Sequence, residues 1–103
     1  MHVIKRDGTR VLFNPEKIVN AINKAMISAY GSVYESDTAE EIADLIGSRG
    51  VDMSVEQIQD LVEKGLMSTR RKDTARAYIT YRNERSRKRR MNGETYQLIR
   101  EKI

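Results

Sequence analysis

The stretch that decides the fold reads Val3-Ile4-Lys5-Arg6-Asp7-Gly8-Thr9-Arg10-Val11-Leu12-Phe13-Asn14-Pro15. Two short β-prone runs flank Asp7-Gly8, a pair typical of type I′ turns, so the stretch predicts a β-hairpin. A helix follows at once, because Asn14 is a good N-cap and proline loses no hydrogen bond at the first helical position. Strands this short need a surface to pack on. The opening residues therefore predict a small sheet lying on helices.

Four segments after the hairpin carry apolar residues at helical spacing, which predicts a helical body. The first helix should end at Gly31, and the second should cover about residues 37 to 48. Ser54 and Gln57 have the spacing of a capping box, which places the start of the third helix. The residues expected to face inward from the first three helices are Ile18, Ile22, Ala25, Met26, Ala29, Ala39, Ile42, Ala43, Ile46, Val55, Ile58, Leu61, Val62 and Leu66.

The fold class that follows is α+β, an N-terminal hairpin followed by four helices on which it can pack. The fourth helix should begin near Asp73 and break at Gly93, after which Tyr96 begins another helix. We therefore expect residues 1–92 to form one domain and residues 93–103 to begin a following segment or a C-terminal helix. The chain ends in the middle of that pattern, which predicts that a longer protein continues beyond it.

Composition narrows the class of protein. The chain has 103 residues, of which 33% are charged and 39% are apolar, as in a single globular domain. No apolar run approaches the roughly 20 residues that cross a bilayer, and the first residues lack the shape of a signal peptide. There is no cysteine, which excludes disulfides, thiolate zinc sites and cysteine nucleophiles. A cytoplasmic setting with no membrane partner is the simplest expectation.

The positive charge is concentrated in one segment. The whole chain carries +4, whereas Arg82 to Arg90 holds six cations against one acid, a net +5, so the rest carries −1. Arg82, Arg85 and Arg89 share one side of the predicted fourth helix. This favours an anionic partner at one place, either a nucleotide or a nucleic acid. A solvated helix end, where cations suit the helix dipole, explains the same run.

A second group of cations surrounds the predicted start of the first helix. Lys5 and Arg6 follow the first strand, and Lys17 lies in the first helical turn. Free N–H groups and a partial positive charge make such a helix end suitable for phosphate. Spacing alone favours the simpler interpretation, in which strand cations prevent aggregation and the lysine is merely solvated.

No catalytic constellation is visible in the sequence. The single histidine, His2, has no evident partner, and Ser54 is better explained as a helix cap than as a nucleophile. There is no glycine-rich phosphate loop of the Walker type. Tyr78 and Tyr81 fit core and boundary positions better than a stacking surface for RNA. We therefore expect this chain to bind rather than to catalyse.

Three stretches together resemble the ATP-cone, a small regulatory domain that binds adenine nucleotides. They are Val3–Gly8 with Phe13 and 16–18, then 54–64, then 71–79 with 81–87. The last stretch is especially similar to the version in anaerobic, glycyl-radical ribonucleoside-triphosphate reductases. The resemblance covers residues 2 to 90 and agrees with the order of elements derived above.

The resemblance implies that the hairpin is a lid over a four-helix bundle and that a nucleotide lies between the lid and the helices. Val3 would contact adenine, and Ile18 and Ile22 would pack against the base or the ribose. Gln59 stands where relatives of the aerobic type place a histidine near the nucleotide. The cations implied to hold the phosphates are Lys5, Arg6, Lys17 and, late in the fourth helix, Arg82 or Arg85.

The resemblance further implies an allosteric role in the synthesis of DNA precursors. In the family, ATP permits the activity of a ribonucleotide reductase and dATP inhibits it, usually through a change in subunit assembly. The implied ligands are ATP or dATP with Mg²⁺, and the implied partner is the reductase's catalytic domain or subunit, with a nucleotide-dependent oligomer. Two alternatives remain: a nucleic-acid module that uses Arg85 to Arg90, and an interaction domain that has lost nucleotide binding.

Overall fold

Strands and helices follow one another in the predicted order. The computed structural model describes residues 1–32, 36–69 and 72–101, with residues 36 and 92–101 described as backbone only. Within this part of the chain the fold is α+β, a three-stranded sheet on a body of helices. The elements are β1 (His2–Ile4), β2 (Arg10–Leu12), α1 (Pro15–Tyr30), α2 (Ser36–Gly47), β3 (Met53–Ser54), α3 (Val55–Met67) and α4 (Lys72–Glu101).

The sheet contains a strand that the sequence pattern did not predict. Its order is β2-β1-β3: β1 pairs with β2 in antiparallel fashion and with β3 in parallel, so that Val3 lies beside both Val11 and Met53. The third strand has only two residues, too few to show the alternation by which a strand is recognised. The backbone N–H of His2 also donates to the Asp52 carboxylate at 2.8 Å.

The hairpin is confirmed, but its predicted type I′ turn is wrong. Such a turn needs positive φ at both central residues, whereas in the described chain only glycines have positive φ, Gly8 among them at 87°. The Gly8 N–H donates to the Lys5 carbonyl at 2.9 Å, and the Lys5 N–H to the Thr9 carbonyl at 2.8 Å. The Asp7 carboxylate accepts from the backbone N–H and the hydroxyl of Thr9, which holds Asp7 in an ordinary conformation.

The predicted helix caps are confirmed. Asn14 accepts the N–H of Glu16 at 3.0 Å, and Gly31 ends α1 in the left-handed conformation with φ of 79°. Ser54 and Gln57 form both bonds of the capping box, at 3.1 and 2.9 Å. Because Ser54 belongs to β3 as well, the sheet leads directly into α3.

The core lies where the four helices meet. Helix α1 packs against α2 and α4, and α3 packs against the same two helices. A Cβ placed on Gly65 would lie only 3.1 to 3.4 Å from Ile42 side-chain atoms, which shows how closely α3 approaches α2. The buried apolar residues are Ile18, Ile22, Ala25, Met26, Ala39, Ile42, Ala43, Ile46, Met53, Ile58, Val62, Leu66, Ala75, Ala77 and Tyr78.

The predicted break at Gly93 is wrong, because the backbone of α4 continues as one helix to Glu101. A single glycine costs a helix about 1 kcal/mol relative to alanine, which the remaining turns can tolerate. The proposed domain boundary after residue 92 stays a prediction. None of the helices in the described chain is both long and apolar enough to cross a membrane.

Replacing Ser54 by alanine tests the capping box. We expect Ser54→Ala to lower the free energy of unfolding by about 1 kcal/mol, because the backbone N–H of Gln57 loses its acceptor, the Ser54 hydroxyl. Urea denaturation followed by circular dichroism measures the change. Ser54→Thr keeps the hydroxyl and should remain within about 0.5 kcal/mol of the original chain. An equal loss in both variants would show that the cap is not the stabilising contact.

Candidate functional site

An apolar cavity of about 220 Å³ lies beneath the sheet. Strand residues such as Val3 and Val11 form its roof, while Ile18 of α1 and Ile58 and Val62 of α3 form much of its floor. Lys5 and Lys17 also reach its lining. Such a space suits a flat apolar group with a polar substituent directed toward the lysines.

A cationic cavity of about 360 Å³ adjoins it between α1, α3 and α4. Its lining contains no acidic residue and five cations: Lys17, Lys24, Arg82, Arg85 and Arg89. Lys17, Ala21, Gln59 and Tyr78 line both cavities, so the two are halves of one cleft. The cleft therefore changes along its length from apolar to strongly positive.

Helical spacing explains how these cations come together. Arg82, Arg85 and Arg89 follow one another by three and four residues along α4, as the sequence predicted. Lys17 and Lys24 are seven residues apart on α1 and share a face in the same way. The sequence analysis did not select Lys24, although this seven-residue spacing was available in the sequence.

Arg82 is already paired within the protein. Its guanidinium Nη1 donates to Glu63 at 2.7 Å and to Asp60 at 3.0 Å, both on α3. The Arg82 side chain is only 18% exposed, so these contacts are partly shielded from water. Arg82 thus serves first as a bridge between α3 and α4.

Arg85 and Arg89 have no such carboxylate. Arg85 donates to the Tyr81 hydroxyl at 3.3 Å and lies 5.8 Å from the centre of that ring, and Arg89 donates to Ser86 at 3.0 Å. Among the described side chains, no acidic oxygen lies within ion-pair distance of either arginine. Burial, and next the positive charges of Arg6 and Arg85, lower the pKa of Arg89, which indicates an excess of positive charge there.

The remaining predicted site residues lie in different surroundings. Arg6 forms an ion pair with Glu56 at 2.9 Å and does not line either half of the cleft. Ile22 is 1% exposed and lies in the core, again outside both linings. The structure therefore brings together Val3, Lys5, Lys17, Ile18, Gln59, Arg82 and Arg85, and leaves Arg6 and Ile22 outside the cleft walls.

Tyr78 lies at the junction of the two halves and is 5% exposed. Burial is the main cause that raises the pKa of its hydroxyl to about 12; the charge of Arg82 opposes this, and those of Glu63 and Asp60 add to it. The phenol therefore stays neutral at physiological pH and adds no negative charge to the cleft.

This fold and cleft define a class of protein: a small α+β domain with one cleft that is apolar at one end and cationic at the other. The comparison with known families agrees, because the model of the ATP cone domain matches residues 1–87. The chain belongs to the ATP-cone family.

Several curated proteins resemble the chain. It is 40% identical over 86 residues to an anaerobic ribonucleoside-triphosphate reductase of Haemophilus influenzae, covering 81% of the chain and 12% of that protein. It is 38% identical over 102 residues to the enzyme of that name in Salmonella typhimurium, covering 96% of the chain and 14% of the relative. A vitamin B12-dependent ribonucleoside-diphosphate reductase of Thermoplasma acidophilum is 43% identical over 91 residues, which cover 81% of the chain and 12% of that protein.

The chain thus spans only about an eighth of the length of these reductases. The part that it matches is the ATP-cone, a regulatory region and not the catalytic part of such enzymes. This confirms the expectation of a regulatory domain.

Removing the Tyr78 hydroxyl tests its burial. The phenolate absorbance of the original chain is measured against pH, and that of Tyr78→Phe is subtracted from it. We expect the difference, which reports the ionisation of Tyr78, to rise near pH 12 instead of near pH 10. Because the folded chain holds this proton more tightly than the unfolded one, Tyr78 contributes stability below pH 10 that is lost as pH rises toward 12. Circular dichroism at each pH shows whether the chain is still folded. A difference step centred near 10 in the folded chain would contradict this placement.

Proposed function

We propose that this chain binds ATP or dATP and thereby regulates the overall activity of a ribonucleotide reductase. The observation that carries the proposal is the single cleft whose apolar half joins a half lined by five cations. An adenine nucleotide has the same division, since a flat base and a charged phosphate chain are joined by a sugar. The family supports this choice of ligand.

The base would lie in the apolar half. Val3 and Val11 would cover one face of the ring from the sheet, and Ile18 and Ile58 would lie opposite. Burying a ring between aliphatic side chains is favourable by roughly 25 cal/mol for each Å² removed from water. Gln59 lines both halves and would therefore lie near the ribose, between base and phosphates.

The phosphates would lie in the cationic half. Lys17 is in the first turn of α1 and lines both halves, so it would hold the phosphate nearest the sugar. The helix dipole adds to its charge at that end. Lys5 in the lining of the apolar half, and Lys24, Arg85 and Arg89 in that of the other, would be the further cations of the cleft that face the phosphates.

Of the two arginines implied by the resemblance, Arg85 is the better phosphate ligand. Arg82 is occupied by Glu63 and Asp60, and turning it toward a phosphate would leave two carboxylates unpaired. Arg85 makes only a long contact with the Tyr81 hydroxyl, which an anion can replace at little cost.

Mg²⁺ would enter with the triphosphate. In the described part of the chain no group of histidine and acidic residues could hold a metal by itself. A magnesium ion would therefore be bound mostly by phosphate oxygens and water, as is common for this ion. It would reduce the repulsion within the phosphate chain without displacing any of the cations.

Regulation would be allosteric. ATP and dATP differ by one hydroxyl, so each must favour a different state of the larger protein, through that contact or through the number of nucleotides bound. A coupling of about 1–3 kcal/mol is enough for a regulatory effect of tens of fold. The partner would be the catalytic domain or subunit of a cytoplasmic reductase, with a change of subunit assembly as the response.

Calorimetric titration of the chain with ATP, dATP and GTP tests nucleotide binding. We expect adenine-selective, saturable binding, and we expect Lys17→Ala to weaken it about tenfold or more, because one charge-assisted contact is lost. Lys64→Ala is the matched control, since Lys64 is an exposed helical lysine that does not line the cleft. Its affinity for ATP should be unchanged.

Titration at two salt concentrations separates this proposal from its alternatives. Binding that is indifferent to the base and falls steeply with salt would instead support the nucleic-acid module. Absence of binding at either salt concentration would support a domain that only makes protein contacts.

Comparing two arginine variants tests the choice of phosphate ligand. Arg85→Ala should weaken ATP binding about tenfold and change the free energy of unfolding by less than about 0.5 kcal/mol. Arg82→Ala should lower that free energy by about 1 kcal/mol, because Glu63 and Asp60 lose their partner. Calorimetry and urea denaturation measure the two effects. If instead Arg82→Ala weakened ATP binding and Arg85→Ala lowered the free energy of unfolding, Arg82 would be the phosphate ligand.

A further inference from the structure

The tip of the hairpin is fastened to α3 by one ion pair. Arg6 lies in the turn between β1 and β2, and its Nε approaches Oε1 of Glu56 at 2.9 Å in the first turn of α3. Both side chains are about half exposed, so the contact is accessible to a dissolved anion. Exposed pairs of this kind contribute at most about 1 kcal/mol and can exchange partners readily.

Glu56 also lies within the electrostatic reach of the cationic cavity. Burial is the main cause that lowers the pKa of Arg89, and the positive charges of Arg6 and Arg85 lower it further. The negative charge of Glu56 acts in the opposite direction. At the opposite end of the same α3–α4 interface, Arg82 meets Glu63 and Asp60. The two helices therefore run antiparallel here. Arg82, Arg85 and Arg89 form the arginine row of α4, which has carboxylates of α3 near both ends and neutral Gln59 between them.

We propose that Glu56 takes the place of a terminal phosphate in the nucleotide-free chain and so sets the preference for long phosphate chains. The inference rests on the proposed function, in which the base end of the cleft is fixed and the phosphates extend toward Arg89. A phosphate that takes the Nε edge of Arg6 would displace Glu56, because the carboxylate oxygen already lies 2.9 Å from that nitrogen. Glu56 is thus a competitor built into the site.

The dependence on chain length follows from the layout of the cleft. Lys17 lines both halves and would hold the first phosphate, whereas Arg6 lies outside both linings, so that only a longer phosphate chain would extend to it. A monophosphate leaves the Arg6–Glu56 pair intact and is insensitive to Glu56. A triphosphate breaks the pair, and its affinity is reduced by the cost of doing so.

The test replaces Glu56 by glutamine and measures binding of ATP, AMP and inorganic tripolyphosphate by calorimetry. We expect Glu56→Gln to tighten binding of ATP and tripolyphosphate about two- to fivefold, the range that corresponds to an exposed ion pair, and to change AMP binding less than about 1.5-fold. In an Arg6→Gln background, the same Glu56→Gln change should tighten binding of ATP and tripolyphosphate clearly less, because only the direct repulsion between Glu56 and the phosphates is then removed.

Glu16→Gln is the matched control. Glu16 is also an acid in the first turn of its helix, so its removal reproduces the change in net charge and helix dipole. It should not alter the ratio of ATP to AMP affinity. Urea denaturation of each variant identifies any loss of folding separately.

Each other outcome has a definite meaning. Equal tightening for AMP and ATP, equal tightening with and without Arg6, or no tightening would overturn the role of Glu56. Adenine-selective binding by the original chain would still uphold the proposed function in those cases. Conversely, Glu56→Gln could tighten tripolyphosphate binding in a chain that does not distinguish ATP from GTP. That result would support the role of Glu56 as a competitor and would contradict the proposed adenine-nucleotide binding.

Discussion

The parallel pairing of β1 with β3 is the constraint on which the rest of the structure depends. Val3 lies beside Met53 and Ile4 beside Ser54, which joins the start of the chain to the residue that caps α3. The Asp52 carboxylate adds bonds to the His2 N–H and to Arg10, so both strands of the hairpin are held near α3. Without this short pairing, the hairpin would have no fixed position over α1 and α3, and the apolar half of the cleft would have no roof.

A second principle concerns the distribution of charge between α3 and α4. Facing helices usually neutralise each other, and Arg82 follows this rule with Glu63 and Asp60. Arg85 and Arg89 do not, since Gln59 provides no charge opposite them and the cleft lining has no acid. Clustered, uncompensated cations reduce stability, and such arrangements are typical of sites that bind anions. The cluster of cations is therefore already present in the fold of the chain by itself.

The two ends of the arginine row have different consequences. At the Arg82 end the pairing is partly buried and holds the helices together. At the Arg89 end the nearby carboxylate, Glu56, is half exposed and contacts Arg6 at the tip of the hairpin instead of an α4 arginine. A ligand can displace the exposed pair far more easily than the shielded one. This difference would let the sheet respond to a nucleotide while the helical body stays fixed.

The sequence by itself determined the features that depend on near neighbours. Asn14, Gly31 and the Ser54–Gln57 box mark helix ends through bonds that span two to four residues, and the structure confirms them. The arginine row of α4 follows from the same short-range periodicity. Resemblance to a family added the fold and the kind of site, through motifs that cover most of the chain.

Only the tertiary structure decided what depends on distant partners. Strand β3 is two residues long and is defined by pairing with residues fifty positions earlier, so no local pattern marks it. The turn at Gly8 is an exception, since it departs from the dipeptide rule through a bond from Thr9 to the Asp7 carboxylate that spans only two residues. Which arginine is paired and which is available likewise depends on what α3 places opposite α4. Sequence fixes the chemistry of each side chain, but its availability is set by neighbours that only folding brings within a few ångströms.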